Sequence, residues 1–556
     1  MKKLIAILAV AFAGGATAQT DAQLRADGTK AGNTDNVLTY GMGYHQNRYS
    51  PLDKINKGNV KRLVPVWSTS LDNELGEQAQ PLIYEGVMYV SNARWTYAID
   101  ALTGKVIWRT AVNFDPDTPR VVCCGNSNKG VAIYNGKVFR GTLDAFVIAL
   151  DMKTGKEVWR QKAAEWKEGY SMTVAPQIAN GVVITGCSGA EFGARCFLDG
   201  WDPDTGKKLW RRYTTAGPGE KGHETWEPRE AYLRGGASTW ITGSYDPELD
   251  LLYWGTGNGG PWNDAKRKGD NLYVASVMAL RPKTGEVVWH YQFAPNDVWD
   301  WDTWELIQSE LTVNGQRRKV IMQMSRNGFL YVIDRTNGQL LSANPFAKVT
   351  WATHVDLKTG RPVESEDSKK LRAGGTIQIW PSINGAKNWP HAAFNPNTGL
   401  LYANTLHSYS TFKFVPLDEY KPGFRYTGIE NIYPPTPTDE PSGHMEAIDP
   451  LTAKPKWRVP LVGHRNASAM LATGGGLLFT GKFSGDFIAL DADTGTQLWS
   501  FKTSSGINAQ PITWTKNGKQ YVTVLSGLGG VASARRGLPN TLPAGGSVWT
   551  FALFDQ

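Results

Sequence analysis

Apolar residues recur in short alternating stretches along most of the chain, as in residues 86–90 and 136–140, with the period of half-buried β-strands. Between such stretches one motif keeps returning: Ala-x-Asp-x-x-Thr-Gly-x-x-x-Trp or a near variant. It stands at residues 98–108, 149–159, 200–210, 279–289, 447–457 and 489–499, with a copy lacking the tryptophan at 333–338. The motif reads as a strand ending at Asp, a tight turn at Thr-Gly and a second strand carrying Trp. Asp100, Asp151 and Asp202 lie 51 residues apart, which suits a four-stranded propeller blade with modest loops. Related turns at Tyr245-Asp246-Pro247 and Asn395-Pro396-Asn397-Thr398-Gly399 raise the count to about eight blades. A solenoid is the competing architecture, but residues 503–530 and 548–553 read as strands able to close a ring. The expected fold class is all-β, an eight-bladed β-propeller with tryptophan-docking repeats. Three stretches without the repeat, about 213–236, 342–388 and 408–443, are expected to form loops or lids over one face. Tyr433-Pro434-Pro435-Thr436-Pro437 in the last cannot be a central strand.

The chain opens with Met1-Lys2-Lys3, an apolar run from Leu4 to Ala13 and Ala16-Thr17-Ala18, the three parts of a secretory signal peptide. Residues 1–18 are therefore expected to be removed, leaving 19–556 as one exported propeller domain, with the bacterial periplasm as its compartment. No other apolar run approaches a membrane span. The formal net charge of +8 fits an acidic protein partner. Nucleic acid is not indicated, because the lysines and arginines are scattered rather than clustered. The 22 tryptophans are used mainly by the repeat and change the picture only as architecture.

Candidate chemistry is concentrated in three places. Residues 295–302 (Pro-Asn-Asp-Val-Trp-Asp-Trp-Asp) hold three acids within eight positions. Carboxylates that close repel unless they diverge, hold a proton or share a cation. Residues 187–193 and 254–263 each set one oxygen-bearing side chain, Glu191 and Asn258, among glycines that let backbone approach a ligand. Glu191, Asn258, Asp300 and Asp302 make an all-oxygen set suited to a hard cation.

With these pieces in order, the chain resembles the pyrroloquinoline quinone (PQQ)-dependent alcohol dehydrogenases of the eight-bladed propeller type. The resemblance covers nearly all of residues 19–556. It rests on Leu38-Thr39-Tyr40-Gly41, Arg48-Tyr49-Ser50-Pro51-Leu52, Cys123-Cys124, Ser188-Gly189-Ala190-Glu191, Gly255-Thr256-Gly257-Asn258, Asn296-Asp297-Val298-Trp299-Asp300 and Arg326-Asn327-Gly328. It implies that Glu191 and Asn258 are metal ligands, that Asp300 is the catalytic carboxylate beside the metal, and that Arg326 reaches the quinone oxygens. Trp240 would stack on one face of PQQ. Cys123 and Cys124 would form a disulfide between neighbours over the other face. Thr173, Ser188, Gly189, Ala190, Ser238 and Asn388 would supply hydrogen bonds. The spacing of Cys187 and Cys196 around Glu191 suggests a second bridge, which the family pattern does not require.

The chain departs from the pattern in places. Lys129 replaces the usual arginine after the cysteine pair, and the first-blade glutamate aligns with Gln78 while Glu77 stands next to it. A tryptophan usual before residues 471–473 is missing from 466–470. No Cys-x-x-Cys-His occurs, so no covalent c-type haem is attached to this sequence. The implied activity is oxidation of a small primary alcohol, and of the derived aldehyde, by hydride transfer to PQQ. Electrons would pass to a periplasmic cytochrome c; oligomeric state stays open, a homodimer included. A sugar or polyol dehydrogenase and a non-catalytic propeller scaffold are the competing readings. Asp302, two positions after Asp300, matches the lanthanide-dependent branch of the family, and three carboxylates balance a trivalent ion better than Ca2+, the alternative metal.

Overall fold

The computed structural model describes residues 19–432, 441–462, 468–529 and 543–554. The expected signal peptide 1–18, the proline run 433–437, the departure at Asn466-Ala467 and the end of the 503–530 stretch lie outside the described residues. Eight sheets follow one another along the chain, seven of four strands and one of five. Blade 1 runs through Leu82–Tyr84, Val87–Ser91, Trp95–Asp100 and Val106–Ala111. Blades 2, 3, 4 and 5 start at Ala132–Tyr134, Gln177–Ala179, Ser244–Asp246 and Ile307–Val313. Blade 6 starts at Ala393–Asn395 and blade 7 at Leu471–Thr473. The eighth sheet joins the chain's two ends, with Leu63–Ser70 pairing antiparallel to Ser547–Leu553. That pairing closes the ring and removes the exposed edges a solenoid would leave.

The repeat holds neighbouring blades together. Asp100 accepts hydrogen bonds from the backbone N–H groups of Leu102 and Thr103 and from the Thr103 hydroxyl, which fixes the turn. Where the outer strand carries the repeat's tryptophan, its ring lies on the turn of the next blade. Trp108 donates its indole N–H to the Met152 carbonyl at 2.9 Å, Trp159 to Pro203 at 3.1 Å and Trp457 to Ala492 at 2.9 Å. Trp499 donates to Leu63, so the same contact crosses the closure. The turn glycine is required twice over: Gly155 has φ +69°, and a Cβ there would stand 2.5 Å from the Trp108 ring. Trp67, outside the motif as read from the sequence, docks the same way, donating to Ala101 over Gly104.

An N-terminal stretch, residues 34–50, crosses the ring of inner strands. It exchanges backbone hydrogen bonds with Ile83, Tyr245, Gln308, Phe394, Ala472 and Thr515, one in each of six blades. Its Leu38, Tyr40, Met42 and Tyr44 are buried. The expected lids have secondary structure of their own. Residues 342–388 contain the Ala352–Asp356 and Arg361–Glu364 hairpin and a short helix at Glu366–Arg372, and Ile377–Ile379 pairs with Ser410–Phe414 from the 408–443 insertion.

Candidate active site

The site lies where loops joining the second and third strands of blades 3 and 4 meet the link from blade 4 to blade 5. In that link Asp297 turns inward on its own backbone. Its carboxylate accepts the N–H groups of Trp299 and Trp301, whose rings stack with centroids 5.3 Å apart. Asn296 and Asp300 take left-handed backbone, φ +50° and +63°, a cost borne where geometry is functional. The crowded acids therefore diverge: Asp297 faces backbone, while Asp300 and Asp302 face Arg326.

Arg326 forks between the two carboxylates, at 3.1 Å from Asp300 Oδ2 and 2.8 Å from Asp302 Oδ2. The other Asp302 oxygen accepts the Asn258 backbone N–H at 2.7 Å. Gly257 makes this close approach possible, because a Cβ there would lie 2.3 Å from Ser238 Oγ and 2.4 Å from Asp302 Oδ1. Asp302 is thus buried and engaged. Glu191 sits in a single helical turn, Ala190–Phe192, bracketed by Gly189 and Gly193 with positive φ. Its side chain adjoins the Cys123–Cys124 disulfide, a carboxylate oxygen and both sulfurs lying within 4.8 Å of one another.

Burial raises the pKa of Glu191, Asp300 and Asp302. Asp302 pushes Glu191 further up, and Asp300 feels both of them. Arg326 lowers all three without overcoming burial, so the cluster is short of positive charge. The donors are all oxygens and fit a hard cation. The same neighbourhood fits an anionic planar cofactor. Lys129 Nζ lies 4.7 Å from the Trp240 ring centre and 5.3 Å from that of Trp389, and burial brings its pKa down to about 7 with no carboxylate offsetting it. A buried ammonium of that kind is matched by a bound carboxylate. Glu77 is fully buried, while Gln78 is half-buried. Burial pushes Glu77 up to about 8 against hydrogen bonds from Asn73 and Asn92, leaving Oε2 without a partner among the described residues and Glu77 able to donate a proton to a ligand oxygen.

Of the other expected contacts, Thr173 and Ser188 have hydroxyls 3.3 Å apart. Asn388 bonds within its own loop, donating to the Asn384 carbonyl and accepting from Trp389 N–H. The second expected bridge is corrected. Cys187 and Cys196 are two buried free thiols, the Cys196 thiol directed at the Cys187 carbonyl at 3.7 Å. The strands they flank, Val182–Gly186 and Phe197–Trp201, already pair antiparallel, so no cross-link is needed to fix the Glu191 turn.

A buried network that no sequence motif marks stands nearby. Lys387 Nζ stands 2.9 Å from Glu305, both fully buried, with His391 3.6 Å from the same carboxylate and Tyr40 Oη 3.0 Å from His391. Burial pushes Glu305 up, but Lys387 and His391 outweigh it and bring it to about 2. Trp304 connects the two clusters, its ring centre 5.4 Å from the Arg326 guanidinium carbon and 5.9 Å from Lys387 Nζ. These residues come from three distant stretches, and no local spacing announces them. The 408–443 insertion, expected to be a lid, also reaches the site. Its Tyr426 N–H donates to the Glu191 carbonyl at 2.7 Å, and Arg425 donates to the Cys123 carbonyl at 3.3 Å.

The chain is similar to known proteins along most of its length. The PQQ family model for the glucose/ethanol/alcohol dehydrogenase beta-propeller domain matches residues 38–349 and 436–522. The quinohemoprotein alcohol dehydrogenase ADH IIB of Pseudomonas putida is 42% identical over 91% of this chain and 75% of its own length. The quinoprotein alcohol dehydrogenase PedH of Pseudomonas putida is 40% identical over 94% of this chain and 92% of its own. A solved europium-containing methanol dehydrogenase superposes with a TM-score of 0.88 at 35% identity, covering 94% of this chain and 98% of that one. With its ring of eight blades, its disulfide between neighbours and its carboxylates gathered at Arg326, the chain belongs to the PQQ-dependent alcohol dehydrogenase family.

Proposed function

We propose that this protein oxidises a small primary alcohol, and then the derived aldehyde, in the bacterial periplasm, and passes the electrons to a separate cytochrome c. The observation that carries the reading is the pair Asp300 and Asp302 forked by Arg326, with Glu191 close enough for its charge to be felt by both. When bound, PQQ supplies a quinone that accepts hydride, and a hard cation supplies Lewis acidity. Glu191, the Asn258 side chain, Asp300 and Asp302 would hold that cation. Asp300, whose pKa is raised by burial and neighbouring carboxylates, is the base that takes the hydroxyl proton. It performs this step best when its contact with the cation is loose, because coordination weakens a base. Arg326 keeps Asp300 oriented and presents fixed positive charge to the developing oxyanion. Trp240 and the Cys123–Cys124 bridge would flank the cofactor ring, and Lys129 and a protonated Glu77 would meet its polar edge.

Three carboxylates favour a lanthanide over Ca2+, and the europium-containing relative supports that choice. The cytochrome and the compartment rest on the sequence: it lacks Cys-x-x-Cys-His, carries a net charge of +8 and opens with signal-peptide features. The test is PQQ binding, read from cofactor absorbance, together with alcohol-dependent reduction of a dye. The parent is expected to do both. Trp240→Ala is expected to lose roughly tenfold in PQQ affinity while folding normally, since an aromatic stack contributes about 1 kcal/mol beyond area. A parent that binds no PQQ overturns the reading, and equal affinity in the variant removes Trp240 from the site.

A further inference from the structure

A second group of metal-ligating side chains lies in blade 6, outside the site just described. Strand Leu400–Leu406 ends beside His407, and its partner Pro441–Ile448 carries His444 and Glu446, which share one face because they are two residues apart. A ring nitrogen from each histidine and a Glu446 oxygen lie within 4.8 Å of one another. The imidazole rings meet edge to face with centroids 4.6 Å apart. His407 Nε2 and His444 Nδ1 are both shielded from water without a hydrogen-bond partner among the described residues. Two shielded imidazole nitrogens facing one carboxylate are costly unless something else takes up their lone pairs.

The carboxylate is held ready. Arg458 donates to Glu446 Oε2 at 2.9 Å and the Thr405 hydroxyl donates to Oε1, the oxygen 3.8 Å from His407 Nε2. Outer partners of this kind orient a ligand for a metal. Two imidazoles and one carboxylate are the donors of a borderline divalent ion such as Zn2+ or Cu2+, with a position left for water, and they do not suit the hard cation of the first site. The His407 side chain is 23% exposed, so an ion can enter. We propose that His407, His444 and Glu446 bind one divalent transition-metal ion. It would sit at the neck where the insertion that reaches Glu191 and Cys123 leaves and rejoins blade 6, and so tie the base of that insertion together.

The experiment uses holoprotein, with PQQ and its own hard cation bound, titrated with Cu2+ alone and followed by electron paramagnetic resonance. The first equivalent in the parent is expected to show hyperfine structure from two imidazole nitrogens, and added Zn2+ is expected to displace it. His407→Gln and His444→Gln are each expected to weaken binding by at least ~10-fold, more than loss of an outer-shell partner costs at the low end. If a variant does not fold, the parent spectrum still decides. Fewer than two nitrogens in the parent, or unchanged affinity in folded variants, overturns the proposal.

Discussion

The Lys129 ammonium lies 4.7 Å from the centre of the Trp240 ring, buried, with no carboxylate among the described residues opposing its charge. Because burial brings its pKa down to about 7, the cofactor-free protein loses this charge as pH rises from about 6 to 8. Association with PQQ, which brings carboxylates, is expected to weaken over that range. Lys129→Arg keeps the charge and is expected to flatten the dependence, whereas Lys129→Met weakens binding throughout. Binding titrations at several pH values check this, and an unchanged slope in Lys129→Arg contradicts it.

Glu77 is also shifted by burial, as an acid pushed upward where Lys129 is a base pushed downward. Burial raises it from 4.5 to about 8, so between those values the folded, cofactor-free protein holds a proton that the unfolded chain has released. Stability should therefore fall as pH rises from about 4.5 to 8, by an amount on the order of a few kcal/mol, and then level off. Glu77→Gln removes this contribution, so its stability should depend less on pH, with the gain over the parent largest near pH 8. Denaturant midpoints across the range measure the effect, and parallel curves contradict it.

The Cys123–Cys124 bridge closes a loop between adjacent residues, too short to restrain the unfolded chain. The double variant Cys123→Ser/Cys124→Ser is expected to melt within a few degrees of the parent. Its loss should appear in PQQ retention and alcohol-driven dye reduction, because the sulfurs lie within 4.8 Å of a Glu191 carboxylate oxygen. A large fall in melting temperature with unchanged turnover contradicts this assignment.

The ring of blades could be read from the sequence because its contacts repeat: most of the repeat tryptophans lie over a glycine on the next turn, as Trp108 lies over Gly155. Closure by Leu63–Ser70 was harder to see, since that strand carries Trp67 without the Asp-x-x-Thr-Gly turn before it. Glu191, Asn258, Asp300 and Arg326 stood in recognisable motifs, whereas Glu305, Lys387 and His391 meet only through folding. The proposed Cys187–Cys196 bridge failed because sequence spacing says nothing about strand pairing, and pairing already positions both thiols. Asp302 could have faced solvent on sequence alone; the Asn258 N–H and Arg326 hold it inside.

That placement of Asp302 makes the metal the decisive question. Metal-free protein is to be reconstituted with PQQ plus either La3+ or Ca2+, in the parent and in Asp302→Ala, and alcohol oxidation measured. The account predicts that La3+ activates the parent far more than Ca2+ does and that Asp302→Ala loses the La3+ response. A parent equally active with Ca2+ alone, or a variant that keeps its La3+ response, would contradict it.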